Sequence, residues 1–105
     1  MNLPNVLTDL TNAQNNFDSV AYANCFSETA KVFDEGKTHN GKTEIQQWIE
    51  KANSAYQAVM KPLEYSAIEE VLKAEVSGSF PGSPIVLSYY FKLQNGLIES
   101  LKITG

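Results

Sequence analysis

Hydrophobic residues recur along the chain with two different periods, and the change of period divides it. Leu3, Val6, Leu7 and Leu10 fall at i, i+3, i+4 and i+7, the stripe of an amphipathic helix. Asn2-Leu3-Pro4 reads as its start, with Asn2 or Leu3 at the cap and the proline in the first turn. The polar run Thr11–Asn16 reads as its end. Asp18 is placed to cap a short second helix on which Tyr22, Cys25 and Phe26 share a face, with Ser27-Glu28-Thr29 leading out. Beyond Gly41, the positions Ile45, Trp48, Ile49, Ala52, Tyr56 and Val59 keep the helical spacing for about four turns. Thr43 with Gln46 has capping-box spacing and Asn40 is the alternative cap, while Lys61-Pro62 is expected to stop this long helix.

From Leu72 the period falls to two. Leu72, Ala74, Val76, Gly78 and Phe80 lie on one face, and Lys73, Glu75, Ser77 and Ser79 on the other. Pro81-Gly-Ser-Pro84 is a compact turn. Ile85, Leu87, Tyr89, Phe91 and Leu93 then alternate with Val86, Ser88, Tyr90 and Lys92. Asn95-Gly96 is the strongest hairpin signal, and a last strand runs from Leu97 to Thr104. An earlier strand is placed over Leu63–Ile68.

Helices first and antiparallel strands afterwards define the α+β class. With no linker, repeat or low-complexity stretch, residues 1–105 read as one domain. Period-2 alternation sets Leu72, Ala74, Val76, Phe80, Leu87, Tyr89, Phe91, Leu101 and Ile103 inward, against the long helix. The outer face carries Lys73, Glu75, Ser88, Lys92, Ser100 and Lys102, with Val71, Val86, Tyr90 and Ile98 among them. That face is apolar enough to predict a homodimer through it.

Composition narrows the classes of function. A chain of 105 residues, 43% apolar and 19% charged, is a folding chain of about one domain. Its net charge is −4, its eight basic residues are scattered lysines, and it has no arginine. Nucleic-acid binding needs a clustered basic footprint, so none is expected. Cys25 is the only cysteine, which excludes an intrachain disulfide or a cysteine-based zinc site and leaves a small buried apolar residue. No apolar run approaches a membrane span and the first residues do not read as a signal peptide, so a cytoplasmic location with no membrane contact is expected. With one histidine and no phosphate loop, nucleophile elbow or dinucleotide fingerprint, neither a metal nor a cofactor is expected.

Ionisable chemistry concentrates between Ala30 and Lys42. Val32 and Asp34 share a side at strand spacing, and apolar surroundings there would raise the Asp34 pKa towards that of a working acid or base. The plainer reading is a solvated acid at a strand end. Glu35 points the other way, as a surface charge. His39, the only histidine, either forms an acid/base couple with Asp34 across the Gly36-Lys37 turn or simply fixes the rim of the loop.

The order of elements, together with Asn15-Asn-Phe-Asp18, Phe26–Gly36, Asn40–Trp48, Ser77–Pro84 and Asn95-Gly96, resembles the nuclear transport factor 2-like superfamily, and within it the SnoaL-like and ketosteroid-isomerase-like proteins. The resemblance implies a cystatin-like cone, in which a strongly curved antiparallel sheet wraps helices and encloses a pocket. It sets Asp34 where the isomerases have their catalytic base. Leu10 stands where they have a phenol donor, and Tyr89 stands near their second donor, so the full isomerase apparatus is absent. The cyclases of the family carry their acid on a later strand, where this chain has none facing inward. Candidate catalytic residues are therefore Asp34 and His39. Candidate ligand contacts are Tyr22, Val32, Trp48, Tyr56, Tyr89 and Phe91, with the Tyr89 hydroxyl best suited to orient a ligand. The expected function is binding of a small apolar carbonyl- or polyketide-like molecule. The alternatives are a cofactor-free isomerase or cyclase using Asp34, and a non-catalytic dimerisation module.

Overall fold

Pro4 caps the first helix, α1 (Asn5–Asn15), instead of lying in its first turn. Val6, Leu7 and Leu10 are buried, as the stripe predicts. The helix does end within the polar run, at Asn15, but the run's first residues still belong to it. Thr11 donates its hydroxyl to the Leu7 carbonyl (2.9 Å), and Ala13 and Gln14 continue the buried face, so residues that look like an exit by composition still pack inward. The true stop is Phe17, whose left-handed backbone (φ 53°) lets Phe17 N–H bond the Gln14 carbonyl and Asp18 N–H that of Ala13, the two bonds of a Schellman end.

Asp18 then caps α2 (Ser19–Ala23), accepting from Ala21 N–H at 3.0 Å. The helix closes before Cys25, so Tyr22, Cys25 and Phe26 are all buried without sharing one helical face. Burial pushes the Cys25 thiol up to about 11, an inert small hydrophobe as expected. Phe26 already opens β1 (Phe26–Asp34), a longer strand than the apolar stub from Ala30 implied. Glu35 and Gly36, with φ of 51° and 74°, turn the chain into β2 (Lys37–Asn40), which pairs Val32 with His39 and Asp34 with Lys37.

Helix α3 (Gly41–Tyr56) begins at Asn40, whose backbone N–H is taken by Glu44 Oε1 at 2.9 Å rather than by a Thr43–Gln46 box. It ends at Gln57, in the left-handed region, and not at Lys61-Pro62. Val59 and Pro62 therefore belong to β3 (Val59–Ser66), which also starts earlier than the predicted Leu63. A proline is tolerated there because β3 is an edge strand and its pairing shifts just after Pro62. The remaining strands are β4 (Val71–Ser77), β5 (Ile85–Gln94) and β6 (Leu97–Thr104), the last joined to β5 by the predicted Asn95-Gly96 turn.

The computed structural model describes residues 1–105 and arranges the strands as one sheet in the order β2-β1-β6-β5-β4-β3. All neighbours are antiparallel except β1 and β6. The inward set is as predicted: Leu72, Ala74, Val76, Tyr89, Phe91 and Leu101 are buried, with Phe80, Leu87 and Ile103 half-buried against them. Ile98 is the exception. The register between β5 and β6 slips between Lys92 and Leu93, and this carries Ile98 from the expected outer face into the core, fully buried. No helix is long and apolar enough to cross a membrane.

Candidate functional site

Between α3 and the concave side of the sheet lies a cavity of about 540 Å³. Of its 20 lining residues 13 are hydrophobic, among them Ile49 and Ala52 of α3 and Met60, Val76, Leu87 and Ile103 of the sheet, so its walls favour an apolar guest. Gly78 shapes its rim. A Cβ on Gly78 would stand 2.6 Å from the Tyr56 carbonyl and 2.9 Å from Ala58 Cα, and only a glycine lets Ser79 N–H reach that carbonyl at 2.7 Å. The segment after β4 is thus pinned to the end of α3, with Tyr56 edge-on to Phe80 at 6.1 Å between ring centres.

Asp34, at the end of β1, lines the cavity and is half-buried. Its pKa is raised. Burial is the main cause and the neighbouring Glu35 charge adds to it, while the charge of His39 and hydrogen bonding from Trp48 and from the Glu35 backbone oppose it. Tyr22 from α2 and Tyr89 from β5 line the same cavity, 2% and 6% exposed. Burial raises both phenols well above their usual range, and the Asp34 charge adds to each, so the three groups share one field and the phenols stay protonated. No hydrogen bond within the protein uses either hydroxyl, yet no side-chain nitrogen or oxygen is sealed away without a partner. The two hydroxyls are therefore open to the cavity.

Trp48 also lines the cavity, its indole edge-on to Tyr22 at 6.1 Å and stacked on His39 at 5.3 Å. His39 itself does not line the cavity and makes no hydrogen bond to Asp34; it backs Trp48 and acts on Asp34 through its charge. Tyr56 lies at the rim, 42% exposed. Two of the expected ligand contacts are corrected: Val32 and Phe91 are buried in the core and do not reach the cavity. Val32 is sealed because Ala30, Val32 and Phe26 pack beneath the helices, and Phe91 because it lies stacked beyond Tyr89 (6.3 Å between rings). Glu35 is exposed as expected, but it also stands at the cavity edge. Leu10, where the resemblance seeks a phenol on α1, is fully buried and does not line the cavity, whereas the buried Tyr22 of α2 does.

Among the lining residues that the sequence reading did not single out are two amides, Gln14 of α1 and Asn53 of α3. Both are polar residues on the buried stripes of their helices, Gln14 four positions after Leu10 and Asn53 four after Ile49, and that misplacement was the available signal.

No protein-family model matches the chain, and no curated protein matches it by sequence. Solved structures do. A protein of Sinorhizobium meliloti, provisionally described as a polyketide cyclase, is 36% identical over 97% of this chain and 95% of its own, with a TM-score of 0.90. The epoxide hydrolase/cyclase-like enzyme SalBIII, of pyran ring formation in the polyether salinomycin, is 19% identical over 94% of this chain and 86% of its own (TM-score 0.79). A Mycobacterium tuberculosis protein solved with estradiol-17beta-hemisuccinate is 9% identical over 95% of this chain and 90% of its own (TM-score 0.75). The last two share the fold.

Proposed function

The chain belongs to the nuclear transport factor 2-like superfamily, and on that premise we propose that its cavity binds a small, mainly apolar molecule bearing a carbonyl or enol oxygen, as polyketide-like compounds do. One observation carries the reading. A half-buried carboxylate meets two buried phenols with unused hydroxyls in an otherwise apolar cavity. Apolar walls supply the binding free energy, at about 25 cal/mol per Å² of apolar surface removed from water. Phenols held neutral donate to the ligand oxygen, and the carboxylate accepts from an acidic hydrogen or hydroxyl. The cyclase description of the S. meliloti relative supports this class of ligand.

The same grouping favours a second reading, in which the bound molecule is turned over. Asp34 would take a proton from carbon next to the carbonyl, and Tyr22 and Tyr89 would stabilise the charge that develops on oxygen. A raised carboxyl pKa suits that task. The test is a thermal-shift screen of ketones, steroids and polyketide fragments, followed by turnover of the hits by the native protein and by Asp34→Asn. Loss of about a hundredfold or more of turnover with binding kept makes Asp34 the base. Equal turnover by both proteins removes it. Hits that bind without turnover leave a binding protein, and no hits among apolar carbonyl compounds would defeat the reading itself.

The outer sheet face belongs to the same proposal as a homodimer surface. Val86 and Tyr90 on β5 are 50% and 45% exposed, and Val71 is paired beside Tyr90. Ile98 contributes nothing to it, being buried inside.

A further inference from the structure

Gln14 and Asn53 are each 9% exposed and each lines the cavity. The Gln14 amide nitrogen donates both to Asn53 Oδ1 (3.1 Å) and to the Ala58 carbonyl (2.7 Å). These bonds fix which end of each amide faces which way. A backbone carbonyl only accepts, so Gln14 must turn its nitrogen to Ala58, and Asn53 must then offer its oxygen to that same nitrogen. Two groups are left over: Gln14 Oε1, an acceptor, and Asn53 Nδ2, a donor. Neither has a partner in the protein and neither is sealed from the cavity.

Along α3, Asn53 follows Trp48 by five residues, a rise of roughly 7–8 Å. Trp48 marks the level of Asp34 and Tyr22, and the wall between the two levels is apolar, with Ile49 and Ala52 of α3. The cavity thus has two polar stations joined by an apolar stretch. The far station holds one acceptor beside one donor and, with no lysine among the lining residues and no arginine in the chain, no cation.

We infer that the Gln14–Asn53 pair is a second recognition subsite, selecting ligands that carry a neutral hydroxyl at the end remote from the group held by Asp34, Tyr22 and Tyr89. A hydroxyl donates to Gln14 Oε1 and accepts from Asn53 Nδ2 at once. A carboxylate there accepts only, faces the Gln14 oxygen, and finds no positive charge to offset its desolvation. A methyl or hydrogen leaves both amide groups unpaired, a loss that gives large discrimination in sites built to bind a hydroxyl. The inference rests on the reading that the cavity binds an apolar molecule anchored at Asp34.

The experiment measures the affinities of naphthalene-2,6-diol, 2-naphthol and 6-hydroxy-2-naphthoic acid by calorimetry. The native protein is compared with the double variant Gln14→Met/Asn53→Leu, which removes both partners together. The expected result is that the diol binds the native protein about tenfold or more tightly than 2-naphthol, that the acid binds more weakly than either, and that the double variant abolishes the diol's advantage. Equal affinity of diol and 2-naphthol for the native protein overturns the subsite while leaving the binding cavity intact. An advantage that survives in the double variant overturns it too. Failure of all three compounds to bind the native protein overturns both the subsite and the reading beneath it. Should the double variant not fold, the native comparison alone decides.

Discussion

The ring of His39 lies on the indole of Trp48, with 5.3 Å between centres and 26° between planes. Trp48 lines the cavity and supplies one of the hydrogen bonds that lower the Asp34 pKa, so the only histidine reaches the cavity through a tryptophan. When protonated it lowers the Asp34 pKa further. His39→Leu keeps the apolar contact and removes the charge. The carboxyl-carbon titration of Asp34 should then move to higher pH. An unmoved midpoint would show that the two groups are not coupled.

Asp34 also sets a pH dependence of stability. Its folded pKa is raised, chiefly by burial, so the native state prefers the protonated form. That preference contributes stability below the unfolded carboxyl range and is lost as pH rises through the folded value. Asp34→Asn, fixed neutral, should therefore melt higher than the native protein at pH 7. The gap should close as the pH falls through the carboxylate range. A gap that widens in acid would mean that the sign of the shift is wrong.

Neither the Tyr22 nor the Tyr89 hydroxyl bonds within the protein, so replacing either by phenylalanine should cost little stability. Affinity for a carbonyl ligand should fall by roughly 1 kcal/mol per hydroxyl removed, about fivefold in Kd. A hydrocarbon of the same shape should bind the variants as it binds the native protein. Calorimetry on such a ligand pair checks both statements, and an equal loss for ketone and hydrocarbon would make the tyrosines mere packing.

Gly78→Ala should destabilise the fold by about 1–3 kcal/mol in urea unfolding, because the backbone groups it would strike belong to the end of α3 and to Ala58. Gly36→Ala, where nothing lies within 4 Å, is the comparison, and it meets only the penalty of its left-handed backbone. If the two variants lost equal stability, close approach at Gly78 would not be the cause.

Light scattering at micromolar protein should give twice the mass of one chain, and Tyr90→Glu, placing a charge on the outer face beside Val71, should lower that mass. A monomer mass for the native protein would end the proposal.

Much of this molecule was legible in its sequence, and the misses have local causes. Alternation sets every second residue inward only while a strand keeps its register, so it gave Leu72 to Val76 and Leu87 to Phe91 correctly and failed at Ile98, beyond a bulge that no residue type announces. Helix ends were misjudged where polarity and direction part company. Thr11 satisfies its hydroxyl on its own helix, and Pro62 sits on an edge strand, where a missing N–H is tolerated. At the site, spacing together with the family resemblance pointed to Asp34, Tyr22, Trp48, Tyr56 and Tyr89, and all five line the cavity. Gln14 and Asn53 were not singled out, because their partners lie on different elements, and only the folded chain brings α1, α3 and Ala58 together.

Strand β6 is the only one that joins β1 to β5, and it follows every other strand in the order of synthesis. Without it the remaining strand pairings fall into two parts, β2-β1 carrying Asp34 and β5-β4-β3 carrying Tyr89. Contacts such as that of Ser27 with Glu99 close over 72 positions of sequence, the sort of long-range pairing that makes folding slow. Within the sheet, the carboxylate and the Tyr89 phenol are thus tied together through β6 alone, so the site depends on the one strand that bridges its two parts.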